Sequence, residues 1–280
     1  MEKILIVGVN GMLGNSLARV ASDFEVVGTY NNFGAGVKLD ITNHHAVTFV
    51  MKKVMPDLVV NCAAITNVDF CEENPSVAQA VHVSGTRNLA VSCRDMGAKL
   101  VHISTDFVFG GKKSNYTEVD HADPINVYGK TKLEGEKEAN GLVIRTCIFG
   151  KNVMPKKSMV EWVVEELTSG REISVFSDSF FTPMYTGHLA QVIIEAYRKD
   201  LSGLFHVAST KRVDKFTFAK AVAEIYGLDS SLIQPSSIRN FNRSAKRPVD
   251  TSLSCGKIMR HGIKLNNFKD EIGMMNNDRR

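Results

Sequence analysis

The 280-residue sequence predicts an α/β protein: a doubly wound parallel sheet with helices on both faces, followed by a small C-terminal α/β substrate region. Three observations predict it. From Lys3 to Thr146, short apolar runs alternate with segments of helical period, as buried parallel strands alternate with their crossover helices. The first run, Ile4 to Val7, is broken at once by Gly8, Gly11 and Gly14, the spacing of a strand-to-helix turn that can cradle phosphates. Near Pro155 the strand pattern gives way to longer helical segments, where a second, smaller region begins.

The three glycines answer different needs. Gly8 permits the tight turn, Gly11 lets a pyrophosphate approach the backbone, and Gly14 lets the new helix pack close on its strand. The helix presents Leu13, Leu17 and Val20 on one face, and Phe24 to Tyr30 reads as the second strand. At its end stand Thr29, Tyr30, Asn31 and Asn32, where Asp or Glu usually meets a ribose 2'-hydroxyl. With no carboxylate to repel a 2'-phosphate, NADP(H) is favoured and NAD(H) is the second choice. Thr42 or Asn43 caps a helix ending near Lys53, and Asp57 to Cys62 forms the next strand. Its end, Asn61-Cys62-Ala63-Ala64, carries small residues where a cofactor would cross the sheet edge; small residues also simply pack in a core. A helix from about Ser76 to Met96 and a strand from Ala98 to Ser104 continue the alternation. Ser104, Thr105 and Asp106 then fall at a carboxyl end of the sheet, where open α/β sheets bind ligands.

After a loop from Gly110 to Ser114, Tyr128 and Lys132 stand four apart and share one helix face. A phenol titrates at about 10, so an ammonium that favours the phenolate makes it usable for proton transfer near neutrality. Taken alone, such a pair is usually a surface pair. Its weight comes from following the glycine turn and the strand-end hydroxyl in order. Leu142 to Thr146 closes the sheet pattern. Helical segments follow at Met159 to Leu167 and around Leu189 to Ala196. A strand at Leu204 to Ala208 leads to a helix capped by Asp214 and stopped by Gly227. The expected division is a dinucleotide-binding domain over 1–150, joined by roughly 184–203, and a substrate-binding domain over 151–183 and 204–280. Arg239, Arg243, Lys246 and Arg247 suit a diphosphate or, equally, a solvated face. The polar tail from Asn266 reads as partly disordered.

Composition narrows the function classes. With 44% hydrophobic and 23% charged residues the chain is of ordinary soluble type, and 34 basic against 30 acidic residues is too mild a balance for nucleic acid. The five cysteines are odd in number and lack metal-type pairing, so they read as reduced and buried, with no metal expected. No signal-peptide layout and no apolar run of membrane-spanning length is present; the expectation is a cytoplasmic protein with no membrane partner.

The combined motifs resemble the extended short-chain dehydrogenase/reductase superfamily and, within it, the dTDP-4-dehydrorhamnose reductase group. They are the glycine turn, Asp40-Ile41, Asn61-x-Ala-Ala, Gly85-Thr-x-Asn-Leu89, His102-Ile-Ser-Thr-Asp-Phe-Val-Phe109, Tyr128-Gly-Lys-Thr-Lys132, Arg145-Thr146, Thr182-Pro183 and Arg247-Pro248-x-Asp250. The resemblance implies a Rossmann sheet and NAD(P)H-dependent reduction of a 4-keto nucleotide-sugar. In that reaction Tyr128 gives the proton, Thr105 steadies the oxygen, and Lys132 holds the nicotinamide ribose and keeps the Tyr128 pKa low. It further implies cofactor contacts at Gly8, Asn10, Gly11, Met12, Leu13, Gly14, Tyr30, Asn31, Asp40, Ile41, Cys62, Ala63, Ala64, Tyr128 and Lys132. Substrate contacts are implied at Thr105, Asp106, Phe107 and Arg247, and a homodimer stays open. One position departs from the superfamily: His82 stands where an Asn usually orders a proton-relay water. Two other readings stay open. One is a non-catalytic NADP-binding regulatory subunit like that of methionine adenosyltransferase, which keeps a Tyr-Gly-Lys-Thr-Lys stretch; the other is a nucleotide-sugar epimerase or dehydratase.

Overall fold

The computed structural model describes residues 1–153, 156–240 and 243–278. Its strands are β1 (Lys3–Val7), β2 (Glu25–Tyr30), β3 (Val37–Lys38), β4 (Leu58–Asn61), β5 (Lys99–Thr105), β6 (Leu142–Thr146), β7 (Ile148–Phe149), β8 (Ile173–Phe176), β9 (Phe180–Phe181), β10 (Met184–Tyr185), β11 (Gly203–His206), β12 (Val213–Asp214) and β13 (Ile233–Ser236). The helices are α1 (Met12–Val20), α2 (His44–Val54), α3 (Val68–Glu73), α4 (Pro75–Gln79), α5 (Gly85–Met96), α6 (Val127–Glu138), α7 (Met159–Thr168), α8 (Thr186–Arg198), α9 (Lys215–Tyr226), α10 (Gly256–Met259) and α11 (Phe268–Asn277).

Seven strands form one parallel sheet in the order β11-β6-β5-β4-β1-β2-β3. The order turns back beside β1, which pairs with β2 on one side and β4 on the other, and this switch point is where ligands enter such sheets. Alternate residues of β1 serve opposite faces. Ile4 and Ile6 join one hydrophobic core, and Leu5 and Val7 join another with α2 and α5. Both faces being covered explains why the strand is apolar throughout, and each fully enclosed aliphatic side chain contributes about 2 kcal/mol.

β11 pairs with β6, so β6 does not close the sheet; the segment around Leu204 belongs to the central sheet rather than to the smaller region. Pairing of a parallel strand over so long a crossover leaves no local trace in sequence. Between them α8 packs beside α1, where the Ser16 hydroxyl donates to Thr186 Oγ1 at 2.9 Å. A third core gathers α7, α9 and α11 with β8 and β13, through Val160, Val163, Phe218, Val222 and Ile272. The tail is not disordered over its described length. Asn267 caps α11, and the buried Glu271 accepts the Tyr185 N–H at 3.0 Å and meets His188 Nδ1 at 2.5 Å. Pro155 lies outside the described residues. Of the five free cysteines, Cys71, Cys93 and Cys255 are buried, whereas Cys62 and Cys147 are only half-buried. Among the described residues no helix is long and apolar enough to cross a membrane.

Candidate active site

The glycine turn follows β1. Gly8 has φ +85°, in the left-handed region, and a Cβ on Gly14 would lie 2.3 Å from the Gly8 carbonyl oxygen, so helix and strand approach as only glycine allows. No side chain caps α1, and Gly11 to Gly14 at its start line the cleft, which leaves a helix N-terminus open to an anion. Gly8, Gly11, Tyr30, Asn31, Asp40, Ile41, Cys62, Ala63 and Ala64 line a groove of about 280 Å³ beside the turn. Asn10 does not line it. Its Nδ2 donates to the Phe33 carbonyl at 3.0 Å and pins the loop after β2.

A larger cavity of about 540 Å³ continues from the groove, lined by Gly11 to Gly14, Thr105, Asp106, Phe107, Tyr128 and Lys132 and, across from them, by Asn152, Lys156 and Ser158. Arg247 is not among its lining residues. Its guanidinium pairs with Asp69 at 2.9 Å, and Asp69 also accepts from Ser244 and the Ala245 N–H, tying that segment to α3.

Each reactive side chain is placed by its element. Thr105 ends β5; its hydroxyl donates to Asp106 Oδ1 at 3.1 Å and accepts the Phe107 N–H at 3.2 Å. Burial pushes the Asp106 carboxyl up to about 6, against hydrogen bonds from Thr251 and Thr105. Tyr128 sits in the first turn of α6, whose start Asn126 caps by accepting the Gly129 N–H at 2.8 Å. Enclosure raises the Tyr128 phenol above its ordinary value, and the Thr105 hydroxyl offsets this only in part. The lowered phenol implied by the resemblance is therefore not found, because burial outweighs the Thr105 hydrogen bond. Lys132 is 2% exposed; its Nζ donates to the Ile103 carbonyl at 2.7 Å, and burial brings the group down to about 8.

His82 lies in a π turn, Ala80–Ser84, that interrupts the expected helix from 76 to 96. Its Nε2 accepts the Ile65 N–H at 3.0 Å. Thr131 gives its own proton to the Val127 carbonyl at 2.9 Å, so His82 Nδ1–H donates to Thr131 Oγ1 at 2.8 Å. Both ring nitrogens are thus engaged by protein groups. Burial and Lys132 lower the imidazole to about 3, and its neutral ring packs edge-on to Tyr128 with centroids 5.8 Å apart. The sequence reading missed this role, and missed His102, Asn61, Thr251 and Lys156, because each acts through a neighbour distant in sequence. For Lys156 that neighbour is Thr66, whose hydroxyl accepts from the lysine Nζ across the cavity mouth at 2.7 Å.

A strand-end hydroxyl, a tyrosine and a lysine around a glycine-turn groove can be compared with known proteins. The model of the RmlD substrate-binding domain matches residues 1–280. The chain belongs to this family. A Haloferax volcanii protein named probable low-salt glycan biosynthesis reductase Agl14 is 34% identical over 269 residues, covering 90% of both chains. The dTDP-4-dehydrorhamnose reductase of Mycolicibacterium smegmatis is 32% identical, covering 94% of this chain and 81% of its own. The crystal structure of dTDP-4-dehydrorhamnose reductase from Bacillus anthracis, solved with NADP, superposes with a TM-score of 0.92 at 28% identity, covering 99% of each chain. These two relatives and the solved structure are all named reductases.

Proposed function

We propose that this RmlD-family protein reduces a 4-keto nucleotide-sugar with NADPH, in the manner of dTDP-4-dehydrorhamnose reductase. The observation that carries the reading is the one cavity in which Thr105, Tyr128 and Lys132 stand beside the uncapped start of α1. The residues fit a dinucleotide. Gly8 and Gly14 keep the turn tight and Gly11 leaves the backbone open to phosphates, while the Asn31-Asn32 pair offers no carboxylate against a 2'-phosphate, which favours NADPH over NADH.

A reduced nicotinamide bound there supplies the hydride. Tyr128, kept in its proton-carrying form by enclosure, gives that proton to the substrate oxygen that becomes a hydroxyl. The Thr105 hydroxyl can turn from Asp106 to the same oxygen and steady its developing charge. Lys132 uses one N–H on Ile103 and has others for ribose hydroxyls. Asp106 and Phe107 form the wall against which the sugar lies, while Arg247, paired with Asp69 outside the cavity lining, would have to leave that pair to meet a diphosphate. The test is NADPH consumption by purified protein across a panel of 4-keto nucleotide-sugars. Turnover with dTDP-4-dehydrorhamnose is expected, and an inert protein on the whole panel would reject the reading.

A further inference from the structure

Lys132 has a buried neighbour with no part in the steps above. His102, 1% exposed on β5, brings Nε2 to 3.4 Å from the lysine Nζ, and its Nδ1 lies 3.2 Å from Asn61 Nδ2. The outer bonds fix where the protons lie. The Ala63 N–H donates to Asn61 Oδ1 at 3.2 Å, so the amide nitrogen faces His102 and donates to Nδ1. Thr86 accepts the other amide proton at 3.3 Å and gives its own to the His82 carbonyl at 2.7 Å. A neutral imidazole that accepts at Nδ1 carries its proton on Nε2, and here that proton points at Nζ. An ammonium has only donors to offer it; a free amine has a lone pair that accepts it.

We propose that His102 is a positioning residue for Lys132: held by Asn61 with its proton on Nε2, it favours the amine over the ammonium and turns the ammonium protons towards the cavity. The proposal deepens the functional reading and rests on Lys132 working at that cavity. The groups that face Lys132 leave room for this effect. They are Cys62 from the loop after β4, Glu136 from α6, His82 from the π turn and His102 itself. Glu136 is already committed to Arg145 through bonds of 2.8 and 2.7 Å, and to the Ser104 hydroxyl at 2.5 Å. His82 is neutral and fully bonded. Burial acts in the same direction as His102 and lowers the lysine.

Two NMR measurements on the intact protein, neither needing a sugar, test the proposal. Ring-nitrogen shifts should show His102 as the neutral Nε2–H tautomer at neutral pH; an Nδ1–H tautomer or an imidazolium there overturns it. The ε-carbon resonance of Lys132 should titrate below the ordinary lysine range. In His102→Gln, whose amide oxygen can accept from an ammonium, that midpoint should rise by about one pH unit. Leu100→Ala loosens the same face of β5 without touching the ring, and should leave the midpoint near wild type. An unchanged midpoint in His102→Gln, or an equal rise in Leu100→Ala, overturns the proposal. Because both readouts are independent of turnover, an inert enzyme would count against the reductase reading alone.

Discussion

The two walls of the cavity are built in different ways. On the sheet wall, Thr105 ends a strand, Tyr128 and Lys132 sit on one helix, and hydrogen bonds accepted by Asn126, Asp106 and the Ile103 carbonyl hold these elements. On the opposite wall, Asn152, Lys156 and Ser158 come from the connection before α7, and Lys156 is held by a single bond to Thr66. The first wall has the rigidity that proton transfer needs. On the second, Ser158 and the Asn152 N–H are tied to Glu161 in the α7 cap, and the exposed Lys156 is the group that can adapt, so damage to the sheet wall should appear in kcat and loss of Lys156 in KM.

Among changes that keep Tyr128, the largest effect should come from Gly14→Ala. Its Cβ would meet the Gly8 carbonyl and the Val9 backbone, neither of which is free to yield. NADPH affinity measured by calorimetry should fall by about a hundredfold, on the order of 3 kcal/mol of overpacking. Thr105→Val keeps the shape and removes the hydroxyl, so steady-state kinetics should show kcat down by about a hundredfold and KM nearly unchanged. Acid should act on the sheet side next. His82 and His206 are held near 3 and His102 well below its usual 6.5, all by burial. Their folded pKa values lie below the unfolded ones, so the unfolded chain takes up the protons. Stability is intact above about 6.5 and falls as pH drops towards 3, by about 1.4 kcal/mol per pH unit for each ring. Urea melts at pH 7 and pH 5 measure that loss. The smallest change should be Lys156→Ala, with KM for the sugar up about threefold and kcat within a factor of two. A hundredfold fall in kcat there would abolish the distinction between the walls.

The same contrast explains what the sequence disclosed. Period and glycine spacing are local, so β1, α1, α2 and α6 were legible, as was the gathering of Thr105, Tyr128 and Lys132 at one strand end. β11 could not be placed, since its partner β6 is chosen by tertiary packing. The helix at 268–277 looked polar and disordered because its stabilising group is a buried glutamate that pairs with His188. At His82 the resemblance, which puts a relay Asn at this position, suggested a water relay, whereas the π turn directs both ring nitrogens onto protein partners. The direction of Lys132 was hidden for a related reason: its spacing from Tyr128 says that they share a face, but the Ile103 carbonyl decides where Nζ points.

The central claim is that the Tyr128 phenol, held protonated on the rigid wall, is the proton donor in reduction of a 4-keto sugar. The most direct measurement compares wild type and Tyr128→Phe with dTDP-4-dehydrorhamnose, reading single-turnover NADPH oxidation alongside NADPH affinity. The account predicts that loss of the hydroxyl lowers the rate by about a thousandfold while cofactor affinity stays within about twofold. Equal rates in the two proteins would contradict the assignment. A wild type that binds NADPH and oxidises none of it would instead mark a binding subunit.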